Sequence, residues 1–431
     1  MDRKIDNQKS QTKLTGYKMI ELGLTPESWE QETVNNALTR ISFPRSCQIL
    51  SSEIKSFGKY PVIDQGQSFI AGYSDYSEKV ISEHLPVIIF GDHTRAIKYV
   101  DFPFIIGADG TKVLKPKPDY EAKFFYYALL FTKIPSRGYN RHFSLLKEKV
   151  IPKPPLPEQR KIAAILSTVQ KAIEIEKTLI ERTKELKKAM MHKLFTEGIP
   201  RQARNGARSE KQKITEIGPI PESWEVVRLG EVAVLIRNGV TIEQEKDKIG
   251  YKITRIETIS NFFIDEERVG YSNNVNKEIL NKYLIKNKDI LFSHINSDTH
   301  IGKTAIAKKD YEDLLHGMNL LLIRLNENVT VPEFINYLFN HFYFIGLFKK
   351  ICKRAVNQSS INQANLKSIQ IPLPTLPEQQ AIASILSIID QKIEHHTTKK
   401  QKLEELFRTL LHELMTARVR VDKIEFDNLI I

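Results

Sequence analysis

Residues 151–199 read IPKPPLPEQRKIAAILSTVQKAIEIEKTLIERTKELKKAMMHKLFTEGI, and residues 371–419 read IPLPTLPEQQAIASILSIIDQKIEHHTTKKQKLEELFRTLLHELMTARV. The two stretches align without a gap at an offset of 220 residues, with about 20 of 49 positions identical. Each predicts a long helix. Ile162, Leu166, Val169, Ile173, Ile180 and Thr183 follow a 4-3 alternation, the seam of a coiled coil. Ile382, Leu386, Ile389 and Ile393 repeat it, and Leu403, Leu406, Leu410 and Leu414 continue it after a polar gap. The prolines at 152, 154, 155 and 157 set an extended entry, and Pro157 and Glu158 suit a helix start, where a missing N–H is harmless and a carboxylate meets the positive helix end. Gly198 and Pro200 stop the first helix. About 35 residues at 1.5 Å each span on the order of 50 Å, longer than a globular domain uses internally.

The repeat extends outward. Residues 21–30 read ELGLTPESWE and residues 216–225 read EIGPIPESWE, so each half runs PESW, a variable stretch, LPEQ, long helix. Two matched seams in one chain pair most simply with each other, antiparallel; pairing with helices of other chains is the alternative. The expected fold is α+β: two mixed α/β domains separated by a long antiparallel two-helix coiled coil, pseudo-two-fold by virtue of the repeat. The expected boundaries are a tail at 1–16, a variable domain at 17–150, the central helix at 151–199, a basic linker at 200–214, a second variable domain at 215–370, and the second helix with its tail at 371–431.

Within the variable domains, residues 85–90 and 102–106 predict buried strands ended by Gly91 and Gly107, and residues 123–132 a helix. In the second, 285–292 contains a strand, LLIRL near 320–325 another, and 332–350 an aromatic-rich helix. There is no regular βαβ rhythm, which favours α+β over a doubly wound sheet. Donor-rich clusters follow the strands: His93, Thr94, Arg95 and Lys98 in one half; Ser293, His294, Asn296, Ser297 and Lys303 in the other. A third cluster precedes each LPEQ: Arg137, Tyr139, Asn140, Arg141 and His142, then Asn357, Gln358, Ser359 and Ser360. Such residues suit base edges and phosphates. Solvated loops and helix-end hydrogen bonding are the bland alternatives.

Net charge is +12, which attracts polyanions, chiefly nucleic acid or an anionic membrane. No run approaches the roughly 18–20 apolar residues of a membrane span, and the polar start carries no apolar leader, so a cytoplasmic protein is expected. Two cysteines, Cys47 and Cys352, exclude a disulfide scaffold or zinc ribbon. Gly302, Lys303 and Thr304 resemble the end of a phosphate loop, but Ser297 stands where its first glycine belongs. No dinucleotide fingerprint, HExxH or Asn/Asp-Pro-Pro-Tyr methyltransferase motif occurs, and His395 and His396 lack acidic or cysteine partners for a metal. The chain is expected to bind no metal or cofactor and to have no catalytic residue.

The doubled LPEQ-plus-helix segment, each copy preceded by a PESW-opened variable domain, resembles the specificity (S) subunit of type I restriction–modification enzymes. FGDHTRAIKYVDFPF from Phe90 and DILFSHINS from Asp289 also look like target recognition domain sequences. One departure is Ala355, where such domains often carry glycine. The resemblance implies that each variable domain is a target recognition domain reading one half of a bipartite, asymmetric site on double-stranded DNA. It implies that the coiled coil sets the gap, and that two methyltransferase (M) subunits dock on the helical regions, bringing S-adenosylmethionine. Restriction/translocase (R) subunits would add ATP- and Mg-dependent cleavage. A coiled-coil scaffold with no DNA role, and a self-contained methyltransferase or nuclease, are the competing readings.

Overall fold

The computed structural model describes residues 17–20, 23–136, 138, 140–203, 206–208, 211–245, 247–297, 300–355 and 358–421. It divides into two compact units, Met1–Lys177 with Thr398–Ile431, and Thr178–Thr397. Each holds one variable segment and part of both long helices, Leu156–Glu197 and Leu376–Met415.

The first unit has an antiparallel sheet in the order Leu38–Thr39, Thr111–Pro116, Val87–Gly91, Ile97–Val100. A mixed sheet runs Gln48–Ile49, Ile105–Gly107, Tyr60–Ile63, Gly72–Ser74. The second unit repeats the plan, with Ala233–Asn238, Leu320–Leu325, Ile290–Ser293 and Thr304–Ile306 in one sheet and Val269–Ser272, Tyr251–Thr254 and Leu314–Leu315 in the other. Both the unbroken apolar run before Gly91 and that around Phe292 have the same cause. Ile88 and Phe90 face a core shared with the helix Ala122–Phe131, while Val87 and Ile89 face the second sheet. Ile290 and Phe292 likewise face the helix Pro332–Phe344, and Leu291 faces the opposite side. A middle layer covered on both faces has no polar side to alternate with.

The two sequence signals meet in space. Glu30–Thr33, just after the PESW tryptophan, pairs antiparallel with Val150–Lys153, and Glu225–Arg228 pairs with Gln370–Leu373. Trp29 and Trp224 are buried beneath these ribbons. The LPEQ glutamine then closes the join. Gln159 Oε1 accepts from the N–H of Glu121 (2.9 Å), and its amide donates to the carbonyls of Asp119 (3.1 Å) and Pro154 (2.8 Å). Gln379 does the same with Val331 (2.8 Å), Val329 (3.2 Å) and Pro374 (2.8 Å). Glu121 and Val331 are the residues that start the helices Ala122–Phe131 and Pro332–Phe344, so one buried amide pairs the backbone N–H at each helix start; Glu121 also caps the N–H of Phe124 with its own carboxylate, whereas Val331 has no side-chain cap. Gln379→Ala leaves these backbone groups unpaired and is expected to destabilise the second unit by about 1–3 kcal/mol. Urea unfolding of the variant checks this, and an unchanged midpoint would contradict it.

Within each unit the long helices run antiparallel. In the first, Ile162 and Leu166 share a core with Leu414 and Met415, and Glu176 pairs with Lys399 (2.7 Å). In the second, Met191, Leu194 and Phe195 share a core with Ile382, Ala383 and Leu386, and Lys187 pairs with Asp390 (2.6 Å). Of the other expected seam residues, Ile180 and Thr183 are buried, and Val169, Ile173, Ile389, Ile393, Leu403 and Leu410 are half-buried. Leu406 is 45% exposed, against expectation. Phe407 takes its place, its ring 5.9 Å from that of Tyr127, because a step of one residue turns the side chain by about 100° toward the domain.

Other boundaries shift for local reasons. The first helix ends at Glu197, and Gly198 follows in the left-handed conformation (φ 69°), as its sequence predicts. The aromatic helix breaks at Gly346 (φ 75°) into Pro332–Phe344 and Leu347–Ile351. Residues 200–214, expected as a linker, hold the hairpin Arg201–Ala203 with Gly206–Arg208 and most of the strand Gln212–Thr215, which pairs with Gly218–Pro221. No helix among the described residues is long and apolar enough to cross a membrane.

Candidate nucleic-acid interface

In each unit the cluster after the central strand and the cluster before LPEQ are brought together. In the first, the carboxylate of Asp92 accepts from the N–H groups of His142 (2.9 Å) and Phe143 (2.8 Å) and so caps the helix Phe143–Glu148. His142 Nδ1 lies 3.0 Å from the Asp92 carbonyl. A third segment joins them: Gln65 accepts from the N–H of His93 (3.2 Å), the Thr94 hydroxyl donates to the Gln65 carbonyl, and Gln67 donates to the Thr94 carbonyl (3.3 Å). In the second unit, Ile295–Asn296 pairs with Gln358–Ser360, which pairs with Lys353–Ala355. Ile361 N–H donates to the His294 carbonyl (2.9 Å), and Gln363 donates to Asn238 Oδ1 (3.0 Å).

This convergence sorts the candidate residues into buried supports and exposed groups. Lys98 and Lys303 are expected at phosphates, yet both are buried (4% and 9% exposed). Lys98 Nζ donates to the Asp64 carbonyl (2.8 Å) and pairs with its carboxylate (3.4 Å); Lys303 Nζ donates to the Ser260 carbonyl (2.7 Å) between the rings of Phe262 and Tyr343. Burial lowers both ammonium pKa values from the usual lysine range. These lysines tether loops rather than present charge. His142, Ser293, His294 and Ser359 are also buried, which takes them out of direct reach of a ligand. Thr94 is half-buried and held by Gln65. His93, Asn296 and Ser360 are half-buried, and Asn296 donates to Ser293 Oγ (3.1 Å). The exposed candidates are Arg95, Asn140, Arg141 and Ser297. Arg95 sits at φ 62° with Nη1 donating to the Ile134 carbonyl (3.0 Å), which fixes its side chain on the surface. Arg137, Tyr139 and Asn357 lie outside the described residues, as does the side chain of Gln358.

Gln65, Gln67, Asn238 and Gln363 join these surfaces and were absent from the candidates drawn from sequence. The run Asp64, Gln65, Gly66, Gln67 after a strand is a turn signal with two amides, and amides suit adenine edges. Asn238 and Gln363 lie 125 residues apart, so no local pattern links them.

The second unit carries a pH liability. Burial pushes His294 and His341 down to about 4 and His316 to about 3. Their folded values lie below the unfolded value of about 6.5. The stability they contribute is therefore whole above pH 6.5 and is lost as pH falls toward 4, on the order of 2 kcal/mol per histidine by pH 5. With Trp29→Phe, Trp224 reports the second unit alone, and its urea midpoint is expected to drop between pH 7 and pH 5. A flat midpoint would contradict the burial of neutral imidazoles.

The family model for the type I restriction modification DNA specificity domain matches this chain twice, at residues 41–185 and 221–405. The chain belongs to that family. Its two matches each cover most of a variable segment and most of the long helix that follows. A putative type I restriction enzyme MjaX specificity subunit of Methanocaldococcus jannaschii is 50% identical over 212 residues, which is 49% of this specificity chain and 50% of that protein. The chain thus matches about half the length of that relative. The MjaVIII specificity subunit of the same organism is 28% identical over 421 residues, 93% of this chain and 95% of the relative. The crystal structure of a type I restriction–modification S subunit from M. genitalium shares the fold at a TM-score of 0.57 and 17% identity, covering 90% of this chain and 96% of the other.

Proposed function

We propose that this chain is the DNA-reading specificity subunit of a type I restriction–modification complex, each unit addressing one half of a bipartite, asymmetric site. The observation that carries this reading is the duplicated convergence: two units of one plan, the first gathering Gln67, Arg95, Asn140 and Arg141 and the second Asn238 and Ser297 as exposed polar side chains beside the central sheet, each unit tied to a long helix by the same buried glutamine. In this reading the long helices form an antiparallel coiled coil that sets the gap between half-sites. The ion pair Glu176–Lys399 supports antiparallel pairing of the helices within the first unit, and Lys187–Asp390 within the second. Two half-sites about one turn apart, roughly 34–36 Å, present major grooves on one face of the duplex.

The chain itself performs no bond chemistry in this reading. Two methyltransferase subunits dock on the helical regions with S-adenosylmethionine, and restriction/translocase subunits use ATP and Mg. Leu186 and Leu406 stand 220 residues apart, at equivalent positions of the repeat, and both are exposed apolar side chains. That equivalence supports two like docking surfaces, one per unit, and hence two copies of one partner. A cytoplasmic location follows from the substrate.

The test is to co-express the chain with its methyltransferase partner and map methylated adenines in host DNA at single-base resolution. A split motif with two fixed halves and a constant gap is expected. A purified complex that binds no DNA would favour a scaffold instead.

A further inference from the structure

Arg237, near the end of the strand Ala233–Asn238, is half-buried and has no hydrogen bond or ion pair with any described residue. Its Nε is fully enclosed and unpaired, and its guanidinium carbon lies 5.1 Å from the ring centroid of Tyr283. The nearby carboxylate of Asp289 is already taken. Both its oxygens accept from Arg324 (2.7 Å each), and one also from the N–H of Lys286 (2.8 Å). An enclosed Nε–H without an acceptor costs free energy, and the rest of the half-buried guanidinium has no protein acceptor among the described residues, which leaves it open to an anionic ligand.

Beside it opens a cleft of about 390 Å³, lined by Gly239, Thr241, Glu278, Lys282 and Tyr283 among others. Lys282 Nζ sits 5.5 Å from the same Tyr283 ring, so one aromatic platform braces two cations. Glu278 stands on the exposed rim, one helical turn from Lys282. The cleft adjoins the loop cluster, because Val240 N–H donates to the His316 carbonyl (2.8 Å) and Asn238 is held by Gln363 (3.0 Å). Counting from the short helices Val34–Ala37 and Leu229–Val232, Ser42 stands in the first unit where Arg237 stands in the second. The feature is therefore not part of the repeat.

We propose that Arg237, braced on Tyr283 and assisted by Lys282, is a seat for one phosphate of the DNA backbone beside the half-site read by the second unit. This rests on the DNA-reading function proposed above. A phosphate contact adds affinity without sequence preference and steepens salt dependence.

The experiment uses the complex with its methyltransferase partner and measures duplex affinity between 50 and 300 mM salt, on the mapped target and on an unrelated sequence. Arg237→Met is expected to lower affinity several-fold on both duplexes alike and to reduce the slope of log K against log salt by about 0.9. Arg237→Gln, which keeps a polar planar end, gives the same slope change and covers the case where Met unsettles the fold. Glu278→Gln removes the rim carboxylate and tightens binding. An unchanged slope in both arginine variants overturns the proposal, and so does a loss confined to the target duplex, which would make Arg237 a base reader. A wild-type complex that fails to bind any duplex sinks the DNA-reading function itself, a result separable from either of these.

Discussion

Leu386→Asp is expected to unfold the second unit. Leu386 is fully buried in the core that also holds Trp224, Phe334 and Phe195. Removing the leucine side chain alone costs about 2–5 kcal/mol. Placing a carboxylate there adds the desolvation of an unpaired charge, several kcal/mol more. Whole-domain stabilities are roughly 5–15 kcal/mol, so the sum removes most or all of it. Trp224 fluorescence is expected to shift to that of a solvated indole, with no cooperative urea transition left to it. Leu166→Asp does the same to the first unit, where Leu166 packs with Trp29 and Phe124. Leu406→Asp is the contrast, since that side chain is largely exposed, and it is expected to change stability by no more than about 0.5 kcal/mol. Wild-type unfolding of Leu386→Asp would show that the helix register is wrong.

Lengthening both long helices by seven residues is expected to abolish methylation of the native target. The insertions go between Glu176 and Lys187 and between Asp390 and Lys399, so that both ion pairs survive. Seven residues keep the seam in phase and add about 10 Å. At 3.4 Å per base pair, that is about three base pairs of extra gap, and the duplex turns by roughly a third of a revolution over the same distance. One half-site then falls out of reach. Each lost base-pair contact is worth about 1–3 kcal/mol, so methylation of the original motif should fall by at least about 100-fold. Methylated sites that remain are expected to carry the same two halves at a wider gap. Unchanged methylation of the original motif would show that the helices do not set the spacing.

The long helices, their start at LPEQ and their stop at Gly198 were legible because each signal is local: a proline run, a seam, a glycine. The strands near Phe90 and Phe292 were legible for a related reason, a short apolar run bounded by turns. What the sequence hid is which polar side chains face inward. Lys98 and Lys303 look like phosphate ligands because they follow strands among histidines and arginines. Their direction is set by carbonyls of Asp64 and Ser260, 34 and 43 residues away, and no periodicity reports that. Leu406 misled for a subtler reason. Spacing alone carries the seam across the polar stretch near His395 to Leu406, and the domain's Tyr127 selects Phe407 instead. Gln159 and Gln379 were visible as parts of a signature, but their job as helix-start acceptors emerges only once Glu121 and Val331 are in place.

The first unit is assembled from two separated pieces of chain, whereas the second is one continuous piece. Leu414, Met415, Ala417 and Val421 fill the same core as Trp29 and Phe124. On the ribosome this reverses the order of completion. Some 220 residues separate Lys177 from Thr398, and at about 5–20 residues per second their synthesis takes roughly 10–45 s. The nascent N-terminal half waits through that interval with an open apolar face, while the later-made half can already close. A premature stop between residues 398 and 410 would spare the later-made half and strand the earlier one, which makes the newborn first half the natural client of a chaperone.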